Sequence, residues 1–285
     1  MRLGYNTNGW AHHDPFQALE LIAELGYRSV AITLDYGPLN PFAADWPANL
    51  QRLKTLLRRL QLHSVIETGA RYLLDPRRKH QPTLLSPDAA ERDQRIDFLT
   101  RALRAAAELE SDCVSFWSGT PLSAASESSD EQQLLDRLAA GLSGLLREAE
   151  RLGTAIGFEP EPGMFIDSMS RFARLLQWVD SPQLRLTLDL GHLYCQGEVP
   201  IADYIARWAP RMVNVHVEDM RAGVHEHLMF GEGEMEFPPI IAALGAADYH
   251  GGVHVELSRH SHLAPAAAAQ AYQFLAPLVK PYATA

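Results

Sequence analysis

Cysteine is scarce in this chain: Cys113 and Cys195 are the only two among 285 residues. That excludes a disulfide-stapled scaffold and makes a reducing compartment the expected setting. Long apolar runs are also missing. No stretch approaches the roughly 20 residues that span a bilayer. The start, Met1-Arg2-Leu3-Gly4-Tyr5-Asn6, lacks the apolar segment of a signal peptide. The expectation is a soluble, cytoplasmic protein. Positive charge is in deficit, with 25 Lys and Arg against 35 Asp and Glu and a net charge of −10. A protein whose main partner is a nucleic-acid backbone needs a basic face, so that class is disfavoured. A local basic pocket for a small anion stays compatible with this balance.

What the chain does have is a steady alternation of short apolar runs and helix-length segments. Strands are predicted at Arg2–Asn6, Arg28–Leu34, Leu62–Glu67 and Cys113–Trp117. Asp14-Pro15 reads as an N-cap followed by Pro at the first helical position, and Gly26 as the helix end. Further helices are predicted from Trp46 to Gln61, after Pro87-Asp88 to Glu110, and from Asp130 to Leu152. A Ser-rich loop, Ser118 to Ser129, precedes the last of these. The second half carries Gly157-Phe158-Glu159-Pro160-Glu161, Thr187-Leu188-Asp189-Leu190-Gly191-His192, Asn214-Val215-His216-Val217-Glu218-Asp219 and His254-Val255-Glu256-Leu257. Helices are expected between them near Ser168–Val179, Ile201–Trp208 and Phe237–Leu244, with a last one from Pro265 to Val279.

This pattern predicts an α/β fold, a single (β/α)8 TIM barrel over residues 1–285 as one domain. The alternative is an open doubly wound sheet, and the strand faces decide against it. In a sheet covered by helices on both sides both faces should be apolar. Here Leu186 and Leu188 oppose Thr187 and Asp189, Val213, Val215 and Val217 oppose Asn214, His216 and Glu218, and Val253 and Val255 oppose His254 and Glu256. One face then packs on helices and the other points into a lumen.

Active sites of such barrels lie at the carboxyl ends of the strands. Glu159, Asp189, His216 and Glu256 are expected side by side there. Three carboxylates held together repel one another unless a cation balances them. One divalent metal is the simplest remedy. Oxygen and imidazole donors without thiolate suit Mn²⁺, Mg²⁺ or Co²⁺, and Zn²⁺ also fits. The competing reading is a set of salt bridges to lumen bases such as Arg185 or Arg2.

The pattern resembles the xylose isomerase-like TIM barrels of the sugar phosphate isomerase/epimerase superfamily. The resemblance covers essentially the whole chain. It is most specific in Leu188-Asp189-Leu190-Gly191-His192, in Val215-His216-Val217-Glu218-Asp219-Met220-Arg221, and in Gly231-Glu232-Gly233 followed by Val255-Glu256. It implies that Glu159, Asp189, His216 and Glu256 bind the metal, that Glu159 and Glu256 act as acid and base, and that His192 and Arg221 contact substrate. The implied activity is isomerisation or epimerisation of a sugar, ketose or related polyol through an enediolate. An inosose-type dehydratase on the same scaffold is an alternative, as is a multi-zinc hydrolase of the endonuclease IV type. A barrel that binds a metabolite without turnover is a third class, and competent side chains at the metal positions speak against it.

Two points stay open in the sequence. Glu161, two residues past Glu159, is a rival ligand, although strand phase favours Glu159. His225-Glu226-His227 could bind a second metal or form a substrate-facing or solvated loop. Other candidates for substrate contact are His12, in the loop after the first strand, Glu67, at the end of the third, and Arg259, after the last. The segment from Arg71 to His80 adds a basic cluster on the same side. A homo-oligomer is compatible with all of this, and no residue pattern specifies its interface.

Overall fold

The structure is a computed structural model that describes residues 1–121 and 131–283. Among these, eight parallel strands close into a barrel. They are β1 (Arg2–Asn6), β2 (Ser29–Thr33), β3 (His63–Glu67), β4 (Val114–Phe116), β5 (Ile156–Phe158), β6 (Leu184–Asp189), β7 (Met212–Val217) and β10 (Gly252–Val255). Each pairs with its sequence neighbour, and β1 closes the ring by pairing with both β2 and β10. Between β7 and β10 the chain adds an antiparallel hairpin, β8 (Asp219–Arg221) and β9 (Val224–Leu228). His225-Glu226-His227, which the sequence offers as a second metal site or a loop, lies on β9. Residues 122–130, most of the predicted Ser-rich loop and the first residue of the helix after it, lie outside the described residues.

The helices form for the reasons their ends suggest. Asp14 accepts hydrogen bonds from the backbone N–H of Phe16 and Gln17 and starts the helix Pro15–Glu24. Asp88 caps Ala89–Leu109, and Ser168 caps Met169–Trp178. Their apolar stripes bury Phe98, Leu99, Leu103, Phe172 and Leu175 against the outward faces of the strands in one continuous core. Among the described residues, no helix is long and apolar enough to cross a membrane.

One strand face differs from the sequence reading. The β6–β7 register shifts between Leu186 and Thr187, which pair with Met212 and Asn214, so Val213 is an extra residue on β7. Val213 therefore does not share the outward face of Val215 and Val217. It packs in a separate small cluster with Ala31, Val65 and Cys113 from the other side of the barrel. Such a bulge re-aims side chains locally. It sets Asp189 opposite His216, and β10 in turn sets His254 opposite His216.

Candidate metal centre

Four strand ends deliver four donors. Glu159 follows β5, and its backbone N–H donates to Phe116 O. Asp189 ends β6 and caps the short helix Leu190–Cys195, its Oδ1 accepting from the His192 N–H at 2.8 Å. His216 lies within β7, and Glu256 follows β10 with its N–H on Val217 O at 3.1 Å. One ligand atom from each of Glu159, Asp189, His216 and Glu256 lies within 4.8 Å of the others. His216 Nδ1 is 2.9 Å from Glu159 Oε1, 2.9 Å from Glu256 Oε2 and 3.8 Å from Asp189 Oδ2.

The electrostatics of this cluster are those of a site that wants a cation. Burial, then the neighbouring carboxylates, push the Glu159 carboxyl up to about 8 against the opposing pull of His216. Burial alone would depress His216, but Glu159, Glu256 and Glu67 together hold its imidazolium well above the ordinary range. Burial would raise Glu256, and His216 overrides it and keeps that carboxylate ionised. Asp189 Oδ2 is buried with no hydrogen-bond partner, which is costly unless something else satisfies it. The convergent oxygens, the imidazole nitrogen and this orphaned oxygen fit a divalent cation in place of the His216 proton. Neither base of the salt-bridge alternative reaches the cluster: Arg2 pairs with Asp112, and Arg185 donates to Arg211 O.

Beneath the four lies a buried polar chain. Burial, then the nearby His216 charge, hold His254 well below its ordinary range. The neutral ring accepts from Ser29 Oγ at Nε2, 2.8 Å away, and donates from Nδ1 to Asn214 Oδ1 at 2.7 Å. Asn214 Nδ2 then points at Glu67 Oε1, 3.3 Å away, and that oxygen also accepts from His216 Nε2 at 3.0 Å. Glu67 lines the cavity above the site, but its carboxylate orients His216. Asn8, from the loop after β1, donates to Glu256 Oε1 at 2.8 Å. No sequence signal identified Asn8, because its partner is 248 residues away.

The other expected residues separate into two groups. His192 is buried, its Nδ1 is 3.3 Å from Pro160 O, and its Nε2 is 3.5 Å from Asp189 Oδ2. It packs edge-on against His225 and His227 of β9, with centroids 4.7 and 5.9 Å away. One nitrogen from each of these three histidines lies within 4.8 Å of the others. Glu161 stands beside them, 3.8 Å from both His192 Nε2 and His225 Nε2, and outside the Glu159–Asp189–His216–Glu256 group. Arg259 lines the mouth and pairs with Glu226 at 3.1 Å. His12 is exposed and is not among the cavity-lining residues; Asn8 enters from that loop instead. Arg221 is exposed too and donates to Glu232 O at 3.0 Å, away from the cavity.

Local chemistry explains two further motifs. The backbone N–H groups of Gly231 and Gly233 donate to Asp219 Oδ2 at 2.8 and 3.0 Å, so Gly-Glu-Gly wraps a carboxylate. A Cβ at Gly233 would sit 2.2 Å from Asp219 Oδ1. Cys195 hydrogen-bonds His192 O, and burial, then Asp189 and Glu161, push its thiol up to about 11. That is the opposite of nucleophile activation. Glu218 is the surprise: it is fully buried beside Asp189, and burial followed by that carboxylate pushes its carboxyl well up.

The cavity over the donors is about 360 Å³ and is walled by Trp117, His80, Lys79 and Arg71 besides the carboxylates. Residues 19–278 match the family model described as xylose isomerase-like TIM barrel. An inosose dehydratase from Clostridium beijerinckii is 31% identical over 144 residues, 45% of this chain and 48% of that protein. The matches to the inosose dehydratases thus span about half the length of those relatives. L-ribulose-5-phosphate 3-epimerase UlaE from Shigella flexneri is 23% identical over 254 residues, 88% of this chain and 84% of that one. Among solved structures, a D-tagatose 3-epimerase-like protein superposes with a TM-score of 0.82 at 21% identity, covering 99% of this chain and 98% of the other. An IOLI protein with a bound zinc atom gives 0.76 at 16% identity over the full length of both chains.

Proposed function

We propose that this chain, which belongs to the xylose isomerase-like TIM-barrel family, is a divalent-metal-dependent enzyme that moves a proton beside the carbonyl of a keto-sugar or polyol. The convergence of Glu159, Asp189, His216 and Glu256 at the floor of a sugar-sized cavity carries this reading. A bound divalent cation would polarise adjacent carbonyl and hydroxyl oxygens of the substrate and so acidify the neighbouring C–H.

The chain's own residues supply the rest. Glu256, held at Oε1 by Asn8, takes the proton, and Glu159 returns it. Return to the opposite face inverts the carbon, return to the adjacent carbon exchanges aldose and ketose, and loss of a β-hydroxyl dehydrates. Dehydration and epimerisation, the reactions in the relatives' names, can both begin with this removal. His216 is oriented by Glu67, and His192 supports Asp189 from the side.

A second reading, a multi-metal hydrolase, is favoured by one observation, the convergent nitrogens of His192, His225 and His227. The test is incubation of the Mn²⁺-, Mg²⁺-, Co²⁺- or Zn²⁺-loaded protein with ketoses, aldoses and inososes in deuterated water. Loss of a C–H signal with any of them supports the proton-transfer reading. Inertness with all of them, alongside hydrolysis of a phosphodiester, favours the second.

A further inference from the structure

A second cavity of about 440 Å³ opens beside the one over the metal donors. The two share Thr33 and Arg71 in their linings, so they adjoin at the Arg71 side chain. Arg71 is held at that boundary by Asp35, whose Oδ2 is 2.7 Å from its Nε. The annex is at least as large as the reaction cavity and differs in character. Its walls are aromatic, with Trp10, Tyr36 and Tyr72 beside His13. Tyr36 and Tyr72 are 58% and 43% exposed, so their ring faces are open to the cavity side and to solvent. They are not loose: Tyr36 Oη donates to Tyr72 O at 2.8 Å and ties the two loops into one rim. Trp10 is rigid at the back, packed edge-on against Tyr5 and His13.

Nothing in the proposed proton transfer needs this volume. The first cavity, about 360 Å³, is by itself of a size for a single sugar ring. Aromatic rings interleaved with Asp35, Arg71 and His13 make a surface on which a sugar ring stacks its C–H face while its hydroxyls find polar partners. We propose that the annex is a subsite for a second sugar ring, so that the substrate is a keto-sugar carrying a glycosyl substituent. This rests on the reaction reading above for the identity of the first ring only.

The test is isothermal titration calorimetry of the full-length Mn²⁺-loaded protein with D-fructose and with the ketose disaccharides isomaltulose and lactulose. At least one disaccharide should bind about tenfold more tightly than fructose, the gain expected from one or two stacked rings. In the Tyr36→Ala/Tyr72→Ala protein that advantage should disappear while fructose affinity is unchanged. Both residues are exposed, so the fold should tolerate the change, and circular dichroism verifies it. Equal affinity for mono- and disaccharide overturns the proposal, as does an advantage that survives the double substitution. Tighter binding of phenyl β-D-glucoside than of either disaccharide, lost in the same variant, also overturns it in favour of an aromatic aglycone. Binding is read without turnover, so intact disaccharide binding with no solvent exchange refutes the reaction and leaves the subsite standing.

Discussion

Glu67 Oε1 lies 3.0 Å from His216 Nε2, on the edge of the ring opposite the Nδ1 that faces Glu159 and Glu256. A carboxylate in this position fixes which nitrogen keeps its proton and makes the other a better donor. Glu67→Gln should therefore weaken Mn²⁺ affinity about 10- to 100-fold while leaving the fold intact. Competition against a fluorescent chelator measures it, and unchanged affinity would show that Glu67 does not position His216.

The chain Ser29–His254–Asn214–Glu67 holds that carboxylate, and it leaves no room beside it. A Cβ at Gly4 would lie 2.3 Å from His254 Cδ2 and 2.9 Å from the Ser29 carbonyl, which is backbone and cannot step aside. Gly4→Ala should destabilise by about 1–3 kcal/mol through overpacking, read as a lowered urea midpoint at constant slope. A midpoint within error of the parent would show that the barrel floor yields to the added methyl group.

Acid should weaken the fold partly through His80. Burial holds its folded value at about 4, below the ordinary 6.5, and the neutral ring bonds Gly69 O. Between these values the unfolded chain takes up a proton that the folded one refuses. Stability is thus full above about pH 6.5 and falls as pH drops towards 4, by about 1–3 kcal/mol from this group with solvent access allowed for. Urea unfolding at pH 7 and pH 5 should show a smaller acid loss in His80→Gln than in the parent protein. An identical loss would remove His80 from the account.

Much of this was legible in the sequence because barrels repeat one local pattern. The Asp14-Pro15 and Asp88 caps, the strand starting at Arg2 and the one ending at Glu67 all fall where period and capping chemistry put them. Glu159, Asp189, His216 and Glu256 share strand phase, so their meeting was readable too. The Val213 bulge was not, because one inserted residue leaves the apolar alternation of β7 looking regular. The β8–β9 hairpin had a signal in Ala222-Gly223, where Gly223 takes a positive φ of 72°, but its strands are too short for alternation to show. His12 and Arg221 are suggested by position alone; in the structure both are exposed and neither lines the cavity over the donors. The annex joins the β1, β2 and β3 loops, a juxtaposition no local pattern carries.

Metal content separates the two functional readings. A proton-transfer enzyme dialysed against Mn²⁺ should hold about one divalent ion per chain, with His227→Ala leaving that ratio unchanged. Two or three ions per chain, reduced by His227→Ala, would mean that His192, His225 and His227 form a working site and would favour hydrolysis.

Glu256 is proposed to move the substrate proton. Its most direct test is solvent-deuterium incorporation into substrate by metal-loaded Glu256→Gln, whose amide oxygen keeps a donor for the ion but cannot accept the proton. Metal and fold should be retained and exchange reduced about 10²- to 10⁴-fold. Undiminished exchange in that variant would contradict it.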